Sequence, residues 1–127
     1  MVNKVLLIGR LGHSPKQQTL NNGQFVCRFS IATSEKWKDK DGDSREQTEW
    51  HNIVAWGKLG EVCAEYLSKG KLVYIEGKLQ TREWEDREGN KKRTTEVVAS
   101  EMRMLDKRES ATEQPEAINI SDEDIPF

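Results

Sequence analysis

Four tryptophans stand in a chain of which only 35% is hydrophobic and 33% is charged. Trp37 lies between Lys36 and Lys38, and Trp84 follows Lys78 and Arg82 at positions of the same parity. Trp50 and Trp56 are six residues apart, with His51, Ile53 and Ala55 at positions of opposite parity. In an extended segment the two rings share one face, about 20 Å apart. Indole rings interleaved with ammonium and guanidinium groups suit an unpaired nucleic-acid strand. Its bases stack on the rings at about 1–3 kcal/mol each, with little regard to sequence, while the cations follow the phosphates. A duplex fits poorly, because paired bases hide their faces. The plainer reading of a tryptophan is a bulky core residue, and the charged surroundings of Trp37 and Trp84 argue against it there. A merely solvated charged face is the plain alternative for Lys36, Lys38, Lys40, Lys91, Lys92 and Arg93.

Catalytic and metal-binding chemistry find little support. His13 and His51 are the only histidines, and neither stands at ligand spacing from Cys27 or Cys63. The carboxylates cluster in turn-like segments and in the last residues, not in an apolar pocket that could shift a pKa. No glycine-rich phosphate loop occurs. The expectation is a binding protein with no cofactor, no metal and no catalytic residue.

The elements that must position these residues read as mostly β. Val5 to Ile8 is a strand that gives way at Gly9 to an irregular segment containing Gly12 and Pro15. Asn21-Asn22-Gly23 is a turn. Phe25, Cys27, Phe29 and Ile31 then alternate with Val26, Arg28, Ser30 and Ala32, as in a strand with one buried face. Residues 34–47 are almost all charged or polar and read as an exposed hairpin loop turning near Asp41-Gly42. Thr48 to Trp56 is a third strand. Leu59, Val62, Cys63, Tyr66 and Leu67 line one face of a helix that Lys69-Gly70 terminates. A fourth strand carries Val73, Ile75 and Leu79 on one side and Tyr74, Lys78, Arg82 and Trp84 on the other. A turn at residues 86–90 leads to a fifth strand, Thr94 to Ser100. The cysteines fall on buried faces and read as packing residues in a reducing compartment. Three strands, a helix and two strands fit a small Greek-key barrel, the OB-fold. A five-stranded sandwich or an α+β sheet fits the same pattern.

Charge divides the 127 residues. Residues 1–108 hold all 20 lysines and arginines against 16 acids, a net +4, and residues 109–127 hold the other 6 acids and no cation. From Lys107 the hydrophobic density collapses, and residues 109–116 read as disordered. Asp122-Glu123-Asp124 then precede Ile125-Pro126-Phe127. Phe127 suits a hydrophobic pocket with a basic rim, and Pro126 lowers the entropy cost of holding that shape, so the tip reads as a docking peptide. A solubilising acidic tail is the plainer alternative. No apolar run reaches the roughly 18 residues of a membrane span, and the short apolar stretch at Val5 makes a poor signal peptide, so a cytoplasmic protein is expected.

Particular stretches also carry a family resemblance. They are Val2-Asn3-Lys4-Val5, Ala32-Thr33-Ser34-Glu35-Lys36-Trp37 and Glu46-Gln47-Thr48-Glu49-Trp50-His51. They continue with Trp56-Gly57-Lys58-Leu59, Glu65-Tyr66-Leu67 to Gly70, Val73-Tyr74-Ile75-Glu76-Gly77, Thr94-Thr95-Glu96-Val97 and Asp124-Ile125-Pro126-Phe127. In these the chain closely resembles the bacterial single-stranded DNA-binding proteins. The resemblance implies a homotetramer of OB-folds that wraps single-stranded DNA without sequence preference in the nucleoid. It further implies a C-terminal tip that recruits replication, recombination and repair proteins, with a part in the SOS response. It places Trp37, Trp50, Trp56 and Trp84 against bases, Lys58 and Lys69 near phosphates, Asn3 and Lys4 near bases, and His51 near a subunit contact. Glu83 stands where some relatives carry a cation, and Arg10, where an Asn is frequent, compensates. The 14 residues from Lys107 to Ile120 are short beside the linkers of many relatives.

The resulting expectation is an all-β chain with an OB-fold over 1–106, a flexible linker over 107–120 and a docking tip over 121–127. The expected strand-binding set is Trp37, Trp50, Trp56, Trp84, Asn3, Lys4, Arg10, Lys58, Lys69, Lys78 and Arg82. The expected partner-binding set is Asp122, Glu123, Asp124, Ile125, Pro126 and Phe127. The expected partners are single-stranded DNA, further copies of the chain, and replication, recombination and repair proteins, with no membrane. The rival readings are an OB-fold accessory of replication restart or of a mobile element that acts mainly as a protein bridge, and an RNA chaperone. A nuclease would need clustered metal-binding carboxylates, which are not evident.

Overall fold

Alternating apolar residues become six strands and one helix in the computed structural model, which describes residues 1–106. In chain order these are β1 (Val5–Leu11), β2 (Lys16–Thr19), β3 (Phe25–Lys38), β4 (Ser44–Trp56), α1 (Gly57–Tyr66), β5 (Leu72–Glu85) and β6 (Lys91–Met104). The strands run β1-β5-β6-β4-β3-β2 across the sheet, and β1 also meets β3 at Arg10↔Ala32 and Leu11↔Ile31. That second pairing closes five strands into a barrel, with β2 laid against the first residues of β3. One contact is parallel, β4 to β6 at Ile53↔Val97 and Val54↔Val98. The expected OB-fold is therefore present, with its helix between the third and fourth barrel strands.

The barrel is filled by every second residue of its strands. Leu11, Cys27, Phe29, Ile31, Ile53, Ala55, Val73, Ile75, Val97 and Ala99 form one buried cluster. α1 adds Cys63, and Leu67 just beyond it closes the helix with its N–H on the Cys63 carbonyl at 3.0 Å. Each large apolar side chain so buried contributes about 1.5–3 kcal/mol. Both cysteines are buried and free, as the alternation predicts. Burial pushes the Cys63 thiol up to about 12 and raises that of Cys27.

Two departures from expectation share one cause. Residues 34–47 are not a loop: β3 and β4 pair without interruption from Ser34↔Thr48 to Lys38↔Ser44. β5 and β6 likewise pair out to Glu85↔Lys91, beyond the buried Val97. These two arms leave the barrel with both faces in solvent, so no apolar alternation marks them. Leu79 shares parity with Val73 and Ile75 yet is half-exposed, because β5 has left the barrel there. The short β2, read as irregular, has four exposed polar residues and is held by its ladder to Phe25–Arg28.

The arm turns are built alike. The Asp39 carboxylate accepts the backbone N–H of Asp41 and of Asp43, each at 2.9 Å, and the Asp86 carboxylate accepts those of Glu88 and Asn90 at the same distance. Gly42 and Gly89 both take φ +84°, which a side chain would strain. The turn at Asp41-Gly42 is where the sequence predicts it. The expected linker, 107–120, and docking tip, 121–127, lie outside the described residues.

Candidate nucleic-acid interface

The outward face of β4 presents Trp50, Asn52, Val54 and Trp56 in alternation. Register places Ala32, Ser30, Arg28 and Val26 of β3 opposite them. On the other side β6 contributes Thr94 and Glu96, and β5 contributes Arg82 and Trp84, paired with Thr94 and Lys92. A cleft of about 240 Å³ opens along β4 between the two tryptophans, lined by Asn52, Val54, Arg28, Ser30, Arg82, Thr94 and Glu96. His13 and Lys16 reach it from the segment between β1 and β2.

None of the tryptophans is a core residue. Trp37 is 47% exposed, Trp50 58%, Trp56 38% and Trp84 42%. Two of the rings are held in place. Trp84 donates its indole N–H to Thr94 Oγ1 at 2.9 Å. The edge of the Trp50 ring rests on Gly12, where an added Cβ would fall 2.5 Å from its Cζ3. Trp37 and Trp84 occupy equivalent places on the two arms, each cross-strand from a cation: Arg45 in one case, Lys92 in the other. Strand parity places Trp37 on the opposite ribbon face from Trp50 and Trp56. Three rings thus share the outer surface and the fourth looks away from it.

The cations of the expected set are more scattered. Lys78 is exposed on the outer parity of β5, in register with Val98, and Arg82 lines the cleft. Lys58 is exposed in the first turn of α1, and Lys69 is exposed beyond its end. Arg10 donates to the Gly70 carbonyl at 2.9 Å and pairs with Asp106 at 3.3 Å, which ties the end of β1 to the start of β5 and the end of β6 beside it. Lys4 lies 2.9 Å from Glu76, and the hydrogen bond between them raises the lysine and lowers the carboxyl from their ordinary pKa values. Asn3 clips the chain to β5, its Nδ2 donating to the Leu79 carbonyl and its Oδ1 accepting the Leu79 N–H. His51 shares a 2.9 Å hydrogen bond with Thr33, on the inward parity of β4.

Sequence reasoning passed over Arg28 and Glu96. Glu96 is only 8% exposed, 2.7 Å from Arg28 and 3.3 Å from Arg82. The one available signal is an acid inside the apolar alternation of β6, and its partner lies 68 residues away. Among the described residues, the carboxylates of Asp39, Asp41 and Asp43 gather closely enough to hold a cation. There Asp39 is engaged by Arg45 and by the N–H groups of its turn.

The chain is similar to known proteins in sequence and in fold. The chain is 53% identical over 110 residues to single-stranded DNA-binding protein 1 of Chlorobaculum tepidum, covering 86% of this chain and 68% of that one. It is 49% identical over 104 residues to the single-stranded DNA-binding protein of Neisseria meningitidis, covering 82% and 60%. The fold matches a Plasmodium falciparum SSB solved in complex with ssDNA, at a TM-score of 0.75 and 37% identity over 84% of this chain and 96% of that one. A deletion mutant of the single-stranded DNA binding protein from Thermus aquaticus matches at a TM-score of 0.73 and 31% identity, covering 84% and 52%. With residues 2–105 matching the family, the chain belongs to the single-strand binding protein family.

Proposed function

We propose that this chain binds single-stranded DNA without regard to sequence, and so protects exposed strands during replication, recombination and repair. The observation that carries the reading is the exposure of all four tryptophans, two of them cross-strand from a cation. A stacking platform has no other use for rings that contribute nothing to the core. Phosphates met by the basic body release counterions, so affinity falls with salt. Residues 122–127 recruit partner proteins, and the acidic tail competes weakly for the basic surface until DNA displaces it. A tether of this length holds the tail at an effective concentration on the order of millimolar.

The working form is a homotetramer in the cytoplasm, associated with the nucleoid. Two features support self-association. Leu6 and Ile8 are 58% and 56% exposed on the outside of β1. The β1 edge turned away from β5 is paired with β3 only at Arg10 and Leu11. An edge of this kind is a ready template for a second copy.

Tryptophan fluorescence titrated with oligo-dT, oligo-rU and a duplex of equal length tests the reading. Strong quenching by oligo-dT, reversed by salt and absent with duplex, is expected; equal quenching by oligo-rU moves the function to RNA. Deleting residues 119–127 should leave DNA binding intact or slightly tighter while abolishing partner recruitment.

A further inference from the structure

We propose that Arg28 is a phosphate-contacting residue of the cleft and that Glu96 is the positioning residue that aims both Arg28 and Arg82 at the strand. The inference rests on the single-strand reading above and adds to it a built subsite between Trp50 and Trp56. Glu96 is nearly buried on β6 and accepts from two other strands: Arg28 comes from β3 and Arg82 from β5. A buried carboxylate requires compensation, and one guanidinium would supply it. Two are present, so the group keeps a net positive charge.

The hydrogen bonds leave most of that charge pointing outward. Arg28 commits only Nη1 to Glu96, at 2.7 Å, and Arg82 commits only Nε, at 3.3 Å to each carboxylate oxygen. A guanidinium carries five N–H donors in a planar fork. Nη2 and Nε of Arg28, and both terminal nitrogens of Arg82, have no acceptor among the described residues, and both side chains line the cleft half-exposed. A free arginine would have to surrender side-chain entropy to meet a phosphate. One already pinned at its inner edge keeps its outer edge preorganised. Lys16 on the same cleft adds to the positive field.

The full-length chain, its Arg28→Ala and Arg28→Lys variants and Glu96→Gln are titrated with oligo-dT, oligo-dA and oligo-dC over a range of salt. Arg28→Ala is expected to weaken all three about tenfold, with the salt slope reduced by about 0.7, the share of one phosphate on a single strand. Arg28→Lys should restore the slope but only part of the affinity. Glu96→Gln discriminates most sharply: electrostatics alone makes removal of an anion tighten binding, whereas loss of a positioning group weakens it. Weaker binding with unchanged melting temperature supports the inference. Tighter binding by Glu96→Gln, or unchanged affinity and slope in Arg28→Ala, overturns it. A loss that differs between the three oligonucleotides overturns it too, because it marks base readout. Should Glu96→Gln fail to fold, the Arg28 pair still decides the contact, since Arg82 continues to compensate Glu96 in both. Absence of binding by the unsubstituted chain defeats the single-strand reading itself, a different result from any of these.

Discussion

Gly12 shows how a residue without a side chain seats an exposed ring. Its bare Cα is the seat of the Trp50 ring, and a Cβ there would meet the ring edge. Because that ring is more than half exposed, it yields by swinging away and the barrel stays intact. Gly12→Val is therefore expected to weaken oligo-dT binding by the order of one stacking contact, about 1–3 kcal/mol, with a nearly unchanged melting temperature. Fluorescence titration beside thermal unfolding checks both halves. Cys27 and Cys63 give the converse case, residues whose whole environment is the core. Burial raises both thiols, Cys63 to about 12. A thiol reagent at about pH 8 should label neither in the folded protein, and labelling should track global unfolding by denaturant. The exposure of Trp37 and Trp84 was legible in the sequence because charged neighbours contradict a core role. The Arg28–Glu96–Arg82 group was not, because it exists only once β3, β5 and β6 are side by side.

At the scale of elements, legibility followed burial. The inward residues of β3, the helix face of α1 and the first half of β5 all announce themselves by period, because one side of each meets the barrel interior. β2 and the two arms do not, because water lies on both their sides and the backbone ladder alone defines them. The arms also have their own pH dependence. Asp39 is held below the usual carboxylate value of 3.8, first by Arg45 and then by the Asp43 N–H; Asp86 is held below it first by the Asn90 N–H. A carboxyl with a lowered folded pKa contributes stability that is complete above its unfolded value and is lost as pH falls through the folded one. The arm turns should thus hold from neutrality down to about pH 4 and loosen as pH falls further through the lowered pKa values, while the barrel persists. Amide chemical shifts of residues 39–45 and 86–91 report this, and Asp39→Asn should remove the acid-induced opening of the first turn.

For the whole molecule, the assembly proposed above makes the outer face of β1 the place where chains meet. An Ile8→Asp substitution places a charge on an exposed position, so the single barrel tolerates it and the assembly does not. Light scattering is expected to show a fall from four chains to fewer, with circular dichroism unchanged. An unchanged mass would locate the contact elsewhere.

The two arms have a consequence for how such a protein changes over generations. Trp37 and Trp84 stand on ribbons outside the buried cluster, so under the stacking role proposed above the residues around them answer to the ligand more than to the core. On that reading, mutations around those rings alter strand holding with little effect on the barrel, and mutations in the barrel do the reverse. Lineages can therefore diversify the arms, or exchange them between relatives as whole hairpins cut at Ser34↔Thr48, on an unaltered scaffold.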